Sequence, residues 1–323
     1  MAAQPENAGS PPPWSIPPET VREIGQFALR LASAGILVTA LIQYSTPMLE
    51  VLIARGARNL LALVSSQYYF KTIEFIEGGY VFTSWIGPLR GSFKLPTLLF
   101  TFGFPISYAL ALSGASTLRY WRRLFTVVLI SYFVCAIAVA IVCDGRLTTS
   151  FMRFDIALQP EWRREFTQSV QYYMWMLTVR LYPVAMLLAL ALLSGQFRGQ
   201  RSISRNPAVR ALKWSVAGTL TVLLLATAGF DAAATARLTV VEKEPIHNRI
   251  NGLEELNPDL GPGLAKLANW FIRNGNDRAA LNVFRLATPL LKGPARADAL
   301  SEQIFLREQI KEDMLRKKRR NRE

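Results

Sequence analysis

The chain has 323 residues, of which 51% are hydrophobic and 19% are charged, and it carries a net charge of +14 at pH 7 with a mean hydropathy of +0.20. A charged fraction below the about 25% of ordinary domains argues against a disordered chain and against an ordinary soluble enzyme. Two cysteines and one histidine exclude a disulfide framework and a multi-histidine metal centre, so we expect no metal and no cofactor.

The N-terminal segment, residues 1–23, is rich in proline and has no basic stretch ahead of a short apolar core. A cleaved secretory signal would require that arrangement. We therefore expect a flexible cytoplasmic tail that leads into an uncleaved signal anchor.

Five stretches are long and apolar enough to cross a bilayer, whose core of about 30 Å requires about 20 residues of helix. They are residues 31–49, 95–118, 124–143, 172–195 and 214–230. The sequence thus predicts an all-α polytopic membrane protein whose membrane domain covers 24–230.

Basic residues in the connections between spans predict the orientation, because such residues resist translocation. The second and third spans are separated by Arg119, Arg122 and Arg123, and the connection from Arg198 to Lys213 holds five basic residues; neither contains an acidic residue. We expect a multi-pass protein of the bacterial inner membrane, with the N-terminus in the cytoplasm and the C-terminal tail in the periplasm.

The segment after the first span predicts two features. Ala54 to Ser66 has basic residues at one end and an apolar remainder, which favours a helix lying on the membrane surface. Within 67–90, Tyr68 to Ile76 and Tyr80 to Ile86 are rich in β-formers and are separated by a glycine-containing turn. This pattern predicts an outer β-hairpin.

The tail, residues 231–323, has the composition of a soluble helical domain. From Gly261 to Leu291 it shows helical periodicity in two pieces that are broken at Asn274 to Asn276, and a further helix is expected over Ala295 to Lys318. A helical hairpin cannot bury its own apolar face. It therefore requires the last helix or a partner protein.

The hairpin of the tail resembles a single tetratricopeptide repeat that starts at Gly261, with Leu264 and Asp277 departing from the usual pattern. An ordinary helical hairpin is the alternative. The usual large and small positions of the repeat are occupied by Leu267, Ala268, Phe271, Ala280, Phe284 and Ala287. The resemblance implies protein–protein contact through five of them, Leu267, Phe271, Ala280, Phe284 and Ala287.

Arg180 is the charged residue within a predicted span, and an intramembrane arginine often marks a functional site. We expect its side chain to snorkel to the outer surface or to form an ion pair with Asp144 or Glu50. A small-molecule or lipid transporter that depends on Arg180 is an alternative function. Pro105 and Pro183 are expected to kink their spans.

A second alternative is a membrane transpeptidase or protease that uses Cys143 as its nucleophile, His247 as its base and Arg146 to stabilise negative charge. The comparison is with transpeptidases of the exosortase type. The cysteine lacks the expected small-residue context, and His247 lies in a hydrophilic segment rather than at the end of a span.

The middle of the chain, from Ile73 to Gly195, resembles the multi-span membrane proteins that are associated with exosortases. The resemblance lies in the hairpin turn Glu77 to Gly79, the span KLPTLLFTFGFPISYALALS, the short RYWRRL connection and the run LYPVAMLLALALLS. It implies an accessory role in bacterial envelope assembly and supplies no catalytic residues.

The main hypothesis is therefore a non-enzymatic membrane scaffold whose hairpin and tail dock a protein partner at the membrane. The lipid bilayer is its other expected partner. Nucleic acid is not expected, because the basic run Arg316 to Arg320 lies on the predicted outer side, where it meets lipid head groups first.

Overall fold

The computed structural model describes residues 18–64, 70–84, 86, 89–95, 98–112, 117–194, 233, 236 and 253–321. Most of these residues are helical, and one small antiparallel sheet follows the first helix. The elements that precede the tail are α1 (Pro18–Val64), β1 (Phe70–Ile76), β2 (Gly79–Ser84), β3 (Arg90–Phe93), a π-helical segment (Leu98–Gly103), α2 (Phe104–Ala111), α3 (Thr117–Met152), α4 (Glu161–Met176), a second π-helical segment (Leu177–Leu181) and α5 (Tyr182–Ser194). The tail contributes α6 (Leu260–Arg273), α7 (Asp277–Ala287), a 3-10 turn (Thr288–Leu290) and α8 (Gly293–Arg320).

Helix α1 has 47 residues and is longer at both ends than the span predicted within it. It begins at Pro18, so the flexible tail predicted over 1–23 is wrong for residues 18–23, while residues 1–17 lie outside the described part. At its other end, Ile53, Ala54 and Ala57 are buried. Because α1 continues here without a break and packs on α3, residues 54–64 do not form a separate surface helix, and residues 65 and 66 lie outside the described part.

The close packing of α1 on α3 depends on a small residue. A Cβ atom at Gly56 would lie within 3 Å of the phenol carbon and oxygen of Tyr132 on α3. The hydroxyl of Tyr132 donates a hydrogen bond to the carbonyl of Leu52, at 3.3 Å. The glycine thus allows α3 to reach the backbone of α1.

The predicted hairpin is confirmed, and it gains a third strand. The turn has two residues, Glu77 and Gly78, with φ of 51° and 75°. Two successive positive values are those of a type I′ turn, which suits the twist of a hairpin. Strand β3 pairs antiparallel with β2, from Tyr80 opposite Phe93 to Thr83 opposite Arg90, and the sheet order is β1-β2-β3.

Three helices of the described residues are long and apolar enough to cross a membrane, Glu19–Leu63, Tyr120–Met152 and Glu161–Ala191. They correspond to the first, third and fourth predicted spans, and they are consistent with a membrane protein. Within the predicted span 95–118, the helix runs from Leu98 to Ala111, which is shorter than the about 20 residues that a bilayer core requires. The predicted span 214–230 lies outside the described residues.

In the tail, the two predicted helices are present as α6 and α7. Gly275 has a positive φ of 68° in the turn between them, and the side chain of Asn276 caps α7 by accepting from the amide of Ala279 at 3.2 Å. Helix α8 covers this hairpin through Ala299, Gln303 and Leu306. The last helix predicted over Ala295 to Lys318 is slightly longer in the structure.

Helices α1 to α5 pack together as a bundle, and the two ends of this bundle can be distinguished by their packing. Near one end, Leu190 of α5 belongs to the same apolar cluster as Val127 of α3. Beyond the other end of α3, Asn257 of the tail makes hydrogen bonds to Ala157. The 24 helical steps from Val127 to Phe151 on α3 correspond to about 36 Å.

Candidate functional site

The sheet and the tail lie at the same end of the bundle, and we call this assembly of β1 to β3, residues 153–160 and α6 to α8 the platform. Arg146, near the end of α3, donates to the carbonyl of Ser92 at 3.2 Å and lies over the ring of Phe93 at 5.4 Å. Within the platform, Lys266 of α6 forms an ion pair with Asp155. The platform is therefore attached to α3 through Arg146 and through residues 153–160, which follow α3 directly in the chain.

The residues predicted to contact a partner lie inside the platform. Their side chains are almost completely buried, and they form the packing between α6, α7 and α8; they are Leu267, Phe271, Ala280, Phe284 and Ala287. The apolar face of the hairpin is covered by α8 and by residues 154–158 of the same chain. A partner protein would have to contact other residues of the tail.

The surface of the tail contains a basic cleft between α7 and α8, with a volume of about 450 Å³. Arg285 lines it from α7, and Arg296 and Arg307 line it from α8; among the described residues, no acidic side chain lines it. Its floor includes the buried Gln303, whose amide nitrogen donates to the carbonyl of Phe284 at 3.2 Å. We call this feature the arginine cleft.

Sequence reasoning did not single out the arginine cleft, although a signal was present. Arg296, Leu300, Gln303 and Arg307 are spaced by four, three and four residues, which places them on one face of α8. That face combines two cations with an apolar residue. The missing information was that α7 supplies a third arginine opposite this face.

A second concave site, which we call the interfacial cavity, opens beside the junction of α1, α3 and α4. Its volume is about 470 Å³, and its lining is mostly apolar, including Leu60, Ile137 and Ile141. Two charged residues also line it, Asp144 of α3 and Arg163 of α4. The Arg163 Nη2 and Asp144 Oδ2 atoms are 3.8 Å apart, which is an ion pair but is too long for a hydrogen bond.

The three residues of the predicted transpeptidase site are not brought together in the described part of the structure. The Cys143 side chain is completely buried in the core. Arg146 is engaged with Ser92 and Phe93 of the sheet. His247 lies outside the described residues. A nucleophilic thiolate needs an electropositive and partly exposed setting, and Cys143 has no exposed surface.

Arg180 is exposed on the outer surface of the α4–α5 helix, with its guanidinium 5.3 Å from the centre of the Trp175 ring. The predicted ion pair with Asp144 or Glu50 is wrong. Asp144 pairs with Arg163, and Glu50 accepts a hydrogen bond from the hydroxyl of Tyr80. Because Trp175 precedes Arg180, the Arg180 side chain extends along the helix toward the platform end.

A polar network inside the bundle was not foreseen as a unit. Each π-helical segment ends two residues before a proline, Pro105 or Pro183, and a proline cannot donate to the carbonyl four residues earlier. For Pro105 that carbonyl belongs to Thr101, and it accepts from the Ser131 hydroxyl instead, at 3.0 Å. The Thr101 hydroxyl in turn donates to the Thr178 carbonyl at 3.0 Å.

This network is satisfied by its own members. The Ser131 hydroxyl also lies 2.8 Å from the hydroxyl of Tyr182. The prolines of the sequence were a sufficient signal for irregular helices at these points, but not for the partners of the freed carbonyls. The network stabilises the irregular segments and offers no vacant polar group to a transported substrate.

No protein-family model, curated protein or solved structure matches this chain. The functional argument therefore depends on the geometry of the two concave sites.

Proposed function

We propose that the protein is a non-enzymatic membrane scaffold that binds an acidic segment of a partner protein in the arginine cleft. The observation that carries this proposal is the convergence of three arginines on one concave surface whose described lining contains no acidic side chain. Arginine is the preferred residue for paired hydrogen bonds to carboxylates. The exposed Leu300 beside the arginines gives the partner an apolar anchor.

The position of the cleft supports a role in docking. It lies on the platform, whose residues 153–160 follow α3 directly and contact the tail through Asn257 and Lys266. Arg146 of α3 contacts the sheet. A partner bound there is held at one end of the membrane bundle. The resemblance of residues Ile73 to Gly195 to exosortase-associated proteins is the reason for proposing a partner from a bacterial envelope assembly.

The proposed orientation places the platform on the outer face of the inner membrane and the N-terminus in the cytoplasm. Two observations support opposite faces for the platform and the N-terminus, and the basic residues Arg119, Arg122 and Arg123 are the reason for proposing that the α3 end marked by Val127 faces the cytoplasm. Residues 117–194 end close to the Val127 end of α3, and residues 253–321 begin beside the opposite end. The segment that joins these points contains the apolar stretch 214–230, whose length suits the fifth crossing that this orientation requires.

Direct binding to the full-length protein in detergent tests the docking proposal. The probe is a fluorescent peptide with four aspartates around one leucine, compared with a peptide in which asparagine replaces each aspartate. We expect the acidic peptide to bind tightly at low salt and less tightly as salt is raised, because exposed charges are screened.

Variants of the cleft make the test specific. Arg285→Glu with Arg307→Glu should abolish binding of the acidic peptide. Arg273→Glu with Arg278→Glu makes the same change of charge at two exposed arginines outside the cleft and should retain most of the binding. Equal binding by the two double variants would show that only the overall positive charge attracts the peptide. That result would contradict the proposal.

A further inference from the structure

The interfacial cavity contains a buried acceptor that receives no hydrogen bond from the residues that the structure describes. Asp144 is 5% exposed, and its Oδ1 atom has no hydrogen-bond partner, although the residue lines the cavity. A buried polar atom without a partner costs about 1–3 kcal/mol, so native proteins rarely retain one unless a ligand, ion or water occupies the site.

The neighbourhood of Asp144 has a surplus of acceptors. Gln159 is 2% exposed, its amide nitrogen donates to the Thr148 hydroxyl at 3.1 Å, and its Oε1 atom also has no partner. The Gln159 side chain lies close enough to Asp144 to stabilise its carboxylate, but it makes no hydrogen bond to Oδ1. Arg163 Nη2 is 3.8 Å from Oδ2, which is too far for a hydrogen bond. The Oδ1 atom therefore lacks a donor among the described residues.

The cavity is also amphipathic along its length. Ile137 lies seven residues before Asp144 on the same helix, which corresponds to about 10 Å. The Ile137 end is apolar, whereas the Asp144 end carries one negative and one positive side chain. On the open side, Trp162 and Phe166 are exposed aromatic residues, a residue class that is enriched at the level of lipid head groups.

From these features we infer that the interfacial cavity binds one phospholipid with a primary ammonium head group. The ammonium donates to Asp144 Oδ1, the phosphate lies beside the Arg163 guanidinium, and an acyl chain extends along Ile141 and Ile137. A head group with both charges matches the Asp144–Arg163 pair. An anionic head group without the amine would add a negative charge near the Asp144 carboxylate and would bring no positive charge to offset it. This inference does not depend on the arginine cleft.

Photocrosslinking in nanodiscs tests the inference with the full-length protein. The three lipids compared are phosphatidylethanolamine, phosphatidylcholine and phosphatidylglycerol. Each carries the same photoactivatable acyl chain and is present at the same low mole fraction. Crosslinks are located by mass spectrometry of the peptides that contain residues 137–144 and 160–167. We expect the ethanolamine lipid to label these peptides about tenfold more than the choline lipid, which has no N–H donor.

Two variants and a matched control locate the site. Asp144→Asn removes the negative charge with little change of shape, and it should reduce labelling by the ethanolamine lipid to the level of the choline lipid. Ala140→Leu fills the apolar part of the cavity and should reduce labelling by all three lipids. Ala40→Leu makes the same change at an exposed position of α1, and this variant should be labelled by each lipid to the same extent as the wild type.

Several results would overturn the inference. Equal labelling by the three lipids in the wild type would show that the apolar cavity accepts any chain, and the absence of crosslinks in both peptides would show that no lipid enters. If Asp144→Asn or Ala140→Leu does not fold, as judged by size-exclusion chromatography, the three-lipid comparison on the wild type decides the question alone.

Discussion

The side chain of Asn257 pairs with the backbone of Ala157, one hundred residues earlier in the chain. The amide of Ala157 donates to Asn257 Oδ1 at 2.5 Å, and Asn257 Nδ2 donates to the carbonyl of Ala157 at 2.7 Å. An asparagine side chain carries a donor and an acceptor in the geometry of a peptide group. It thereby satisfies both backbone groups of a residue that has no regular secondary structure.

The first prediction concerns this pair. Asn257→Ala leaves two backbone groups of a partly buried residue without partners, and we expect it to reduce the free energy that holds the tail on residues 153–160 by about 1–3 kcal/mol. The measurement is the rate of limited proteolysis within α6 in detergent, which should rise at least severalfold. Asn321→Ala, at the exposed end of α8, should be cleaved as the wild type is. Equal rates in the two variants would show that the pair does not hold the tail.

The second prediction concerns the approach of α6 to the same segment. A Cβ atom at Gly263 would lie 2.7 Å from the carbonyl oxygen of Phe154 and 2.9 Å from a side-chain carbon of Ile156. Because one of these atoms belongs to the backbone, Gly263→Ala should displace α6 and increase amide hydrogen exchange in residues 154–158. The matched control is Gly35→Ala, where a Cβ atom has open space. Unchanged exchange in Gly263→Ala would contradict the close approach.

Local signals in the sequence were sufficient for the two hairpins. The Glu77-Gly78 turn and the Asn274 to Asn276 break each combine turn-forming residues with a change of hydrophobic period on both sides, and the structure confirms both. Strand β3 was missed because its sequence, RGSF, has no alternating pattern. Its pairing with β2 depends on the neighbouring strand, which a local pattern does not report.

The residues of the sites were harder to predict than the elements that carry them. Periodicity correctly placed Leu267 and Phe284 on the apolar faces of their helices, but it gave no information on what covers those faces. Asp144 was considered as a partner of Arg180, and the structure pairs it with Arg163 from the beginning of α4. In both cases the decisive neighbour comes from a distant part of the chain.

The third prediction concerns the buried contact between the sheet and α1. The Tyr80 hydroxyl donates to the carboxylate of Glu50, and both side chains are buried. Tyr80→Phe leaves this carboxylate without its donor, and we expect the Tm in detergent to fall by at least about 2 °C. The control is Tyr44→Phe. Tyr44 is 91% exposed on α1, the helix that carries Glu50, so this change should leave the Tm unchanged.

A double variant separates the hydrogen bond from general loss of packing. Replacing both partners removes the unsatisfied acceptor, so Tyr80→Phe with Glu50→Leu should be more stable than Tyr80→Phe alone. If the double variant is the less stable of the two, the contact between Tyr80 and Glu50 does not account for the effect of the single change.

The last prediction concerns the two ends of the bundle. A single cysteine at Arg122 lies near the end of α3 marked by Val127, whereas a single cysteine at Glu302 lies on α8 of the platform, and both positions are exposed. The native Cys135 and Cys143 are completely buried, so the wild type supplies the background for labelling by a membrane-impermeant maleimide. In sealed, right-side-out cells we expect Glu302→Cys to react and Arg122→Cys to react only after lysis, because the ends lie about 36 Å apart along α3.

Labelling of both variants in sealed cells would place both ends on one side and remove the fifth crossing. The reverse pattern, in which only Arg122→Cys reacts before lysis, would keep the crossing and invert the orientation.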